Sequence, residues 1–390
     1  MIITKYNLFM ESTRTVNMWD ILPPSIKDIH DLFKGAGKRL YVVGGCVRDF
    51  LNNEKPKDFD LATDALPEEV LKIVGKKYRT TVQGKSFGVV VAYTEDQPEG
   101  MEIATFREDV YGELLGKTRN PEVKYSTIDK DVARRDITWN ALFYDLEKRE
   151  IIDLVNGIED LENGITRFVG DPDMRIKEDP LRILRIFRFT ARYGFTIDPQ
   201  TVESIKKNKS QLNIITRPRI WEEFFKAYKQ TKSRFTDYLG YLDEFELWTE
   251  IFPGAQINHD IVPCSSLEVY IANLFTLEPV RGLQQKMVQT YLIPDDIARV
   301  SAWLIWFKSF QVENVLEFHD KARNYRISKT LISEWIKLSG LSDSKYLAFL
   351  EFERSVDSED LMSKGFFKKA LGDEIKRLEI NNFNKILQTI

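Results

Sequence analysis

The sequence predicts an α+β protein: a mixed-sheet section at the front and an all-α remainder behind it. Short apolar runs alternating with helical pieces occupy about residues 24–155, whereas from about residue 178 onward nearly every segment repeats with helical period. The chain is 390 residues long with 43% hydrophobic content, enough for two or three domains with their own cores. No internal repeat or low-complexity tract interrupts the pattern.

Residues 39–45 read as a short buried strand that runs into Val43-Gly44-Gly45-Cys46-Val47-Arg48-Asp49. Two glycines let the backbone approach a ligand closely and start a helix whose N-terminal amides favour anions. Residues 58–63 read as the next strand. There Asp58-Phe59-Asp60-Leu61 alternates, placing both carboxylates on one side and Phe59 and Leu61 toward a core. At ~3.3 Å per residue the two acids lie roughly 7 Å apart, a spacing able to bracket a pair of hard divalent cations of the kind that nucleotidyl transfer requires. The glycine spacing is not that of a dinucleotide fingerprint, and no Gly-Lys-Ser/Thr phosphate loop follows.

Residues 67–74 read as a helix with proline in its first turn, and 87–94 and 101–107 as strands. Between Arg107 and Tyr125 lies a run without clear period containing Gly112, Gly116, Lys117, Arg119, Asn120 and Pro121, read as a mobile loop. Residues 141–145 and 150–154 read as a hairpin. Ahead of it, Arg134-Arg135-Asp136 is placed at the head of a helix leading into a strand, where two guanidiniums and a carboxylate can hold triphosphate oxygens and a ribose hydroxyl.

Residues 178–189 open a strong helix, with Glu178 and Asp179 as an acidic first turn and Pro180 where a missing N–H costs little. Asp179, Arg182, Arg185 and Arg188 recur every three residues as one ridge. Three stacked arginines with a single nearby acid repel one another, which an anion such as a triphosphate relieves. A carboxylate accepts and a guanidinium donates, so Asp179 with Arg182 complements the base edge shared by cytosine and adenine and rejects that of uracil and guanine. An intrahelical salt bridge between the same two residues is the competing reading. Further on, Trp221, Phe224, Phe225 and Tyr228 carry core spacing, and the basic segment 364–369 reads as a solvated amphipathic helix, with contact to an RNA backbone as the alternative.

Net charge is −4, so any nucleic-acid contact is regional rather than global. The longest uncharged apolar stretch, about residues 300–307, is too short to cross a bilayer, and the N-terminus has no basic region followed by an apolar core and cleavage site. A cytoplasmic protein with no membrane partner is expected. Two cysteines, Cys46 and Cys264, exclude a disulfide framework or a structural zinc cluster. His259-Asp260 and His319-Asp320 each match half of a metal phosphohydrolase signature, but such sites need more ligands, so the three histidines, His30 included, are expected to be structural.

With these pieces in this order over roughly residues 39–230, the chain resembles the class II tRNA nucleotidyltransferases, the CCA-adding enzymes, which share a catalytic head with bacterial poly(A) polymerases. The resemblance implies a nucleotidyltransferase head at 1–155, a helical neck carrying the base-binding motif at 156–235, and a helical body and tail at 236–390 that bind tRNA. It implies that Gly44, Gly45 and Arg48 hold nucleotide phosphates, that Asp58 and Asp60 bind magnesium with Glu102 as a third catalytic carboxylate, and that Arg134, Arg135 and Asp136 engage triphosphate and ribose. Asp179 and Arg182 would template the incoming base and Arg185 and Arg188 grip the triphosphate, while Arg217-Pro218-Arg219 with Glu222 and Glu223 looks like a neck-stabilising motif. The implied reaction is addition of C, C and A to tRNA 3′ ends from CTP and ATP, the alternatives being a poly(A) polymerase or an enzyme adding only A or only CC. The segment 83–89 lacks the arginine-rich strand of the poly(A) branch, Trp139 stands where the family carries a smaller aliphatic residue, and the loop around Arg119 lacks the family's Asp-Gly-Arg.

Overall fold

A computed structural model of the chain describes residues 12–56, 58–83, 88–111 and 122–390. It divides into two compact units, Met1–Arg234 and Phe235–Ile390. The first opens with β1 (Ser12–Thr15), α1 (Pro24–Gly35), β2 (Leu40–Val43), α2 (Gly45–Leu51), β3 (Asp60–Thr63), α3 (Pro67–Val74), β4 (Arg79–Gln83), β5 (Val89–Tyr93) and β6 (Met101–Thr105). It continues with β7 (Arg107–Val110), β8 (Glu122–Tyr125), α4 (Ile128–Ala133), β9 (Phe143–Asp145) and β10 (Glu150–Asp153). Five longer helical segments follow: α5 (Gly157–Glu162), α6 (Pro172–Glu178), α7 (Arg182–Tyr193), α8 (Pro199–Asn208) and α9 (Arg217–Thr231).

Eight strands form one mixed sheet in the order β1-β10-β9-β2-β3-β6-β5-β4. The β3–β6 pair is parallel and the other pairs are antiparallel. Strand β2 is buried on both faces, which is why Leu40-Tyr41-Val42-Val43 reads as an unbroken apolar run. Leu40 and Val42 face one layer with Ile26, Ile29 and Phe33 of α1 and Val70 of α3. Tyr41 and Val43 face the other with Phe106, Val132 and Phe143. Burying each such side chain contributes about 1.5–3 kcal/mol, so the register of β2 is strongly specified. Phe59 and Leu61 join the first layer as expected, which sends Asp60 to the side of Ala62.

Several elements differ from the sequence reading. The strands are shorter than read by one or two residues at their ends. Strand β4 and the ribbon β7–β8 were not anticipated: β4 is mostly exposed and carries no apolar alternation, and β7 pairs with β8 in the register Arg107↔Tyr125 to Val110↔Glu122 without a buried side. Both ends of the expected loop are therefore strand, and residues 112–121 between them lie outside the described residues. Arg134 and Arg135 follow the C-terminus of α4 rather than heading a helix, the end where the helix dipole favours cations. The arginine helix begins at Arg182; Glu178 closes α6, Asp179 caps it in an extended conformation, and Pro180 lies in the turn between them.

The unit Phe235–Ile390 is helical throughout, from Phe235–Glu244 to Lys368–Thr389. Its aromatic core packs Phe307 edge-on against Phe318 at 5.8 Å and Phe349 at 4.9 Å. Segment 364–369 is a junction between two helices rather than one amphipathic helix, because Gly365 takes φ +92° and ends the first of them. No helix among the described residues is long and apolar enough to cross a membrane.

Candidate active site

The turn after β2 is where the site begins. Gly44 has φ +74° and ψ −126°, a conformation closed to residues with a side chain, and its amide donates to the Leu142 carbonyl at 3.1 Å. A Cβ on Gly45 would come within 3.3 Å of Arg48 Nη2. Arg48 itself is 4% exposed and sits among the rings of Trp139, Phe189 and Tyr193 at 5.3–5.7 Å. It donates to Asp49 Oδ1 at 2.6 and 2.9 Å and to Asn140 Oδ1 at 2.5 Å. Trp139 is fully buried there, with its Nε1 donating to the Ile165 carbonyl at 3.0 Å.

The carboxylates stand on adjacent parallel strands. Leu61 of β3 pairs with Ile103 of β6, and both face the first layer, so Asp60 and Glu102, one residue earlier on each strand, turn to the other face side by side. Water reaches Asp60, yet protein crowds round it at the foot of a cleft. Burial there, then the charges of Glu102 and Asp58, push its carboxyl up to about 6 against the pull of Arg135. Asp58 is exposed just ahead of β3. Among the described residues, no group of three or more His, Cys, Asp and Glu side chains closes up as a metal cluster. The histidines are placed structurally: His30 is buried against Trp19, and His259 and His319 lie in the second unit against Asp243 and Phe352.

The cleft above Asp60 has a volume of about 1010 Å³ and brings together Gly44, Gly45, Arg48, Arg134, Arg135, Asp136, Asp179, Arg182, Arg185 and Arg188. Asp58 lines an adjoining cleft, also bordered by Asp60, and Glu102 lines neither. Nine cationic side chains to six carboxylates line the larger cleft, so it favours an anion.

Each arginine of the ridge has its own carboxylate, contrary to the expectation of three mutually repelling charges. Arg182 donates to Glu178 at 2.5 Å and to the carbonyls of Arg175 and Arg134 at 3.1 Å. Arg185 holds Asp136 through Nε at 2.8 Å and Nη2 at 2.5 Å. Arg188 donates to Glu223 and Gln230 of α9, both at 2.5 Å. Asp179 and Arg182 do not pair with each other, because Arg219 reaches Asp179 at 2.7 Å. Asp131, 1% exposed, accepts from Arg134 and Arg135 at 2.7–3.2 Å and was missed in the sequence although its i, i+3 and i, i+4 spacing to them was visible. Asn140 and Asp109 are further cleft residues that no local pattern marks.

Burial alone would raise the Asp136 carboxyl, but the Arg185 guanidinium, helped by Arg182 and the Ile137 amide, outweighs it and holds the group down to about 2 from an ordinary 3.8. A carboxyl lowered on folding stabilises the fold above its unfolded value, and that contribution is lost as pH falls from about 4 toward 2. The pH-dependent difference in unfolding free energy between the wild type and Asp136→Asn is therefore expected to be roughly 2 kcal/mol at pH 7 and to shrink below pH 4. Urea unfolding at pH 7, 5 and 3 measures it, and a difference independent of pH would show that the pair is not ionised.

Residues 40–167 match the family described as "Poly A polymerase head domain", and residues 194–257 match "Probable RNA and SrmB- binding site of polymerase A". A CCA-adding enzyme of Lactobacillus helveticus is 34% identical over 297 residues, 73% of this chain and 68% of that protein. The chain belongs to the class II tRNA nucleotidyltransferase and poly(A) polymerase family. As a family member it is also similar to Poly(A) polymerase I of Escherichia coli, 35% identical over 60% of this chain; it spans about half the length of that relative. In fold, this nucleotidyltransferase-family chain superposes on the Bacillus stearothermophilus CCA-adding enzyme in complex with CTP, with TM-score 0.66 and 21% identity, covering 94% of this chain and 98% of that one.

Proposed function

We propose that this protein adds C, C and A to the 3′ end of tRNA, taking the nucleotides from CTP and ATP. The observation that carries the reading is one cleft with the Asp60 carboxylate at its foot and an acceptor–donor pair, Asp179 and Arg182, on its wall. In the reaction, the terminal 3′-oxygen of the RNA bonds to the α-phosphorus as the bond to pyrophosphate breaks, and the hydroxyl proton passes to water. Arg134, Arg135 and Arg185 lie where they can hold the triphosphate, each orientated by Asp131 or Asp136. Arg182 keeps its Nε–H and one Nη2 hydrogen uncommitted among the described residues, so it still has donors for a base edge while Asp179 keeps acceptor capacity.

The donor chemistry of the edge fits magnesium. Asp60, with Glu102 beside it and Asp58 before it, supplies hard oxygens, and the Asp60 carboxyl, raised first by burial and then by the charges of Glu102 and Asp58, is one that a divalent cation would relieve. Magnesium commonly rests on one or two carboxylates plus substrate phosphates, which suits an edge that does not close into a cluster by itself. When bound, the ion would supply positive charge at the attacking and leaving oxygens.

A tRNA transcript ending at the discriminator base, offered with CTP, ATP or both and then sequenced, tests the reading. The expected products are CC with CTP and CCA with both. A homopolymeric A tail from ATP alone, the activity named for the Escherichia coli relative, would replace this reading with the poly(A) one.

A further inference from the structure

The helical unit Phe235–Ile390 holds a cavity of its own, about 490 Å³, lined from the helices Leu283–Thr290, Asp295–Phe307 and Val315–Asn324. That volume is within the roughly 300–1,000 Å³ of small-molecule sites. The cavity shares no residue with the cleft above Asp60 and lies outside residues 40–167 and 194–257, the two stretches that match the family. Its walls carry more donors than acceptors. Asp295 is the single carboxylate of the lining, and Gln284 Nε2 at 2.9 Å and Arg299 Nη1 at 3.5 Å already take its two oxygens. Two buried N–H groups of lining residues, Arg299 Nε and Trp303 Nε1, meet no acceptor among the described residues. Trp303 is 2% exposed, with its ring packed against Phe307 at 5.0 Å and Phe318 at 6.1 Å, so its N–H has no path out to water. Unmade buried donors are costly and rare, and two of them on one cavity call for an acceptor from outside the chain.

The two cations of this cavity are held by rings. The Lys321 ammonium lies 4.2 Å from the centre of the Trp306 ring and the Arg299 guanidinium 5.1 Å from that of Tyr325. Their carboxylates, Glu317 and Asp295, are more than half exposed, and ion pairs so open to water contribute little, so an incoming anion competes well for both cations. The rest of the lining is apolar or amide. Val288 and Ala302 give a surface for a flat apolar group, while Gln285 and Gln289 stand one turn apart on one helix face. A glutamine amide sets a donor beside an acceptor, the complement of an adenine edge. We propose that this cavity binds a nucleotide, with its phosphate on Arg299 and Lys321, its base on the apolar wall and an adenine edge read by Gln285 and Gln289. The phosphate oxygens are the acceptors that the unmade N–H groups lack. A free nucleotide and one unit of an RNA strand present the same chemistry.

The test is equilibrium dialysis of the full chain against radiolabelled AMP and, separately, the trinucleotide ApApA. Arg299→Gln/Lys321→Gln and Gln285→Ala/Gln289→Ala probe this cavity, and Arg185→Gln probes the cleft above Asp60 as the control. The substituted side chains of the cavity are exposed or half-buried, so both double variants are expected to melt with the wild type and to add nucleotides as it does. The Kd for AMP should rise about tenfold in Arg299→Gln/Lys321→Gln, through lost charge-assisted contacts, and stay within about twofold in Arg185→Gln. Gln285→Ala/Gln289→Ala should bring AMP down to the affinity of ribose 5-phosphate while leaving that of ribose 5-phosphate unchanged, a selectivity that a structural role does not produce. Binding of AMP with this pattern assigns a free nucleotide, and binding of ApApA alone with the same pattern assigns a unit of RNA; either result bears out the proposal. No binding of AMP or ApApA, or binding lost in Arg185→Gln and kept in Arg299→Gln/Lys321→Gln, would overturn it.

Discussion

Asp60→Asn is expected to lower nucleotide addition by about 10³-fold while RNA affinity stays within about twofold and the protein melts no earlier than the wild type. Charge supplied at the reacting oxygens is worth several kcal/mol, and each ~1.4 kcal/mol is a factor of ten in rate. The stability expectation follows from the structure. Asp60 is raised to about 6 by crowding in the cleft and by Glu102 and Asp58, so the ionised side chain is an unfavourable neighbour in the free protein. An amide of the same shape removes that repulsion. A residue kept for folding behaves in the opposite way, losing stability when replaced. Product gels at single-nucleotide resolution and a thermal melt together decide the matter: retained activity, or a melt lowered along with activity, would remove Asp60 from the reaction.

Arg188→Met is expected to destabilise the first unit by about 3–5 kcal/mol, because it strands Glu223 as a buried charge. Both side chains of this pair are only 3% exposed. Arg188 also donates to Gln230 and lies over the Phe189 ring of its own helix at 4.1 Å, so one guanidinium ties α7 to α9 at two points. Glu223→Leu should cost a similar amount for the mirror-image reason. The double variant Arg188→Met/Glu223→Leu should cost less than either single one, since neither partner is then left unpaired. Urea-dependent hydrogen exchange of α7 and α9 reads this within the first unit. Equal, additive losses would mean that the two side chains act independently. The expected triphosphate grip of Arg188 thus competes with a clamp already in place, and loss of activity in Arg188→Met has to be judged at a temperature where the variant is folded.

Much of the first unit was legible in the residues because the relevant signals are local. The turn at Gly44 needs φ above zero, a demand that shows as glycine in any context. The alternation of Phe59, Asp60 and Leu61 follows from the two-residue period of a strand and needs no partner to be read. The three-residue spacing of Arg182, Arg185 and Arg188 likewise follows from helix geometry. What failed did so where local pattern is silent. Strand β4 lies exposed at the sheet edge, and β7 pairs with β8 across residues outside the description, so neither has a buried face to imprint a period on its sequence.

By itself, then, the sequence determined the α+β class, the alternation that sets Asp60 on the face opposite Phe59 and Leu61 and the arginine-rich character of the cleft, since backbone conformation and periodicity are written residue by residue. The tertiary structure alone decided which charges meet. Glu102 reaches the side of Asp60 only because β3 and β6 pair in parallel in that register. Asp136 answers Arg185 across 49 positions, Glu223 answers Arg188 across 35, and Arg219 takes Asp179 away from the partner that spacing suggested. Electrostatic pairing depends on distance in space, and a buried charge is tolerated only where the fold brings its counterion to it, so the ridge that looked like mutual repulsion along the chain is neutralised one arginine at a time, Arg182 by Glu178 one turn away and Arg185 and Arg188 by elements far from them in sequence.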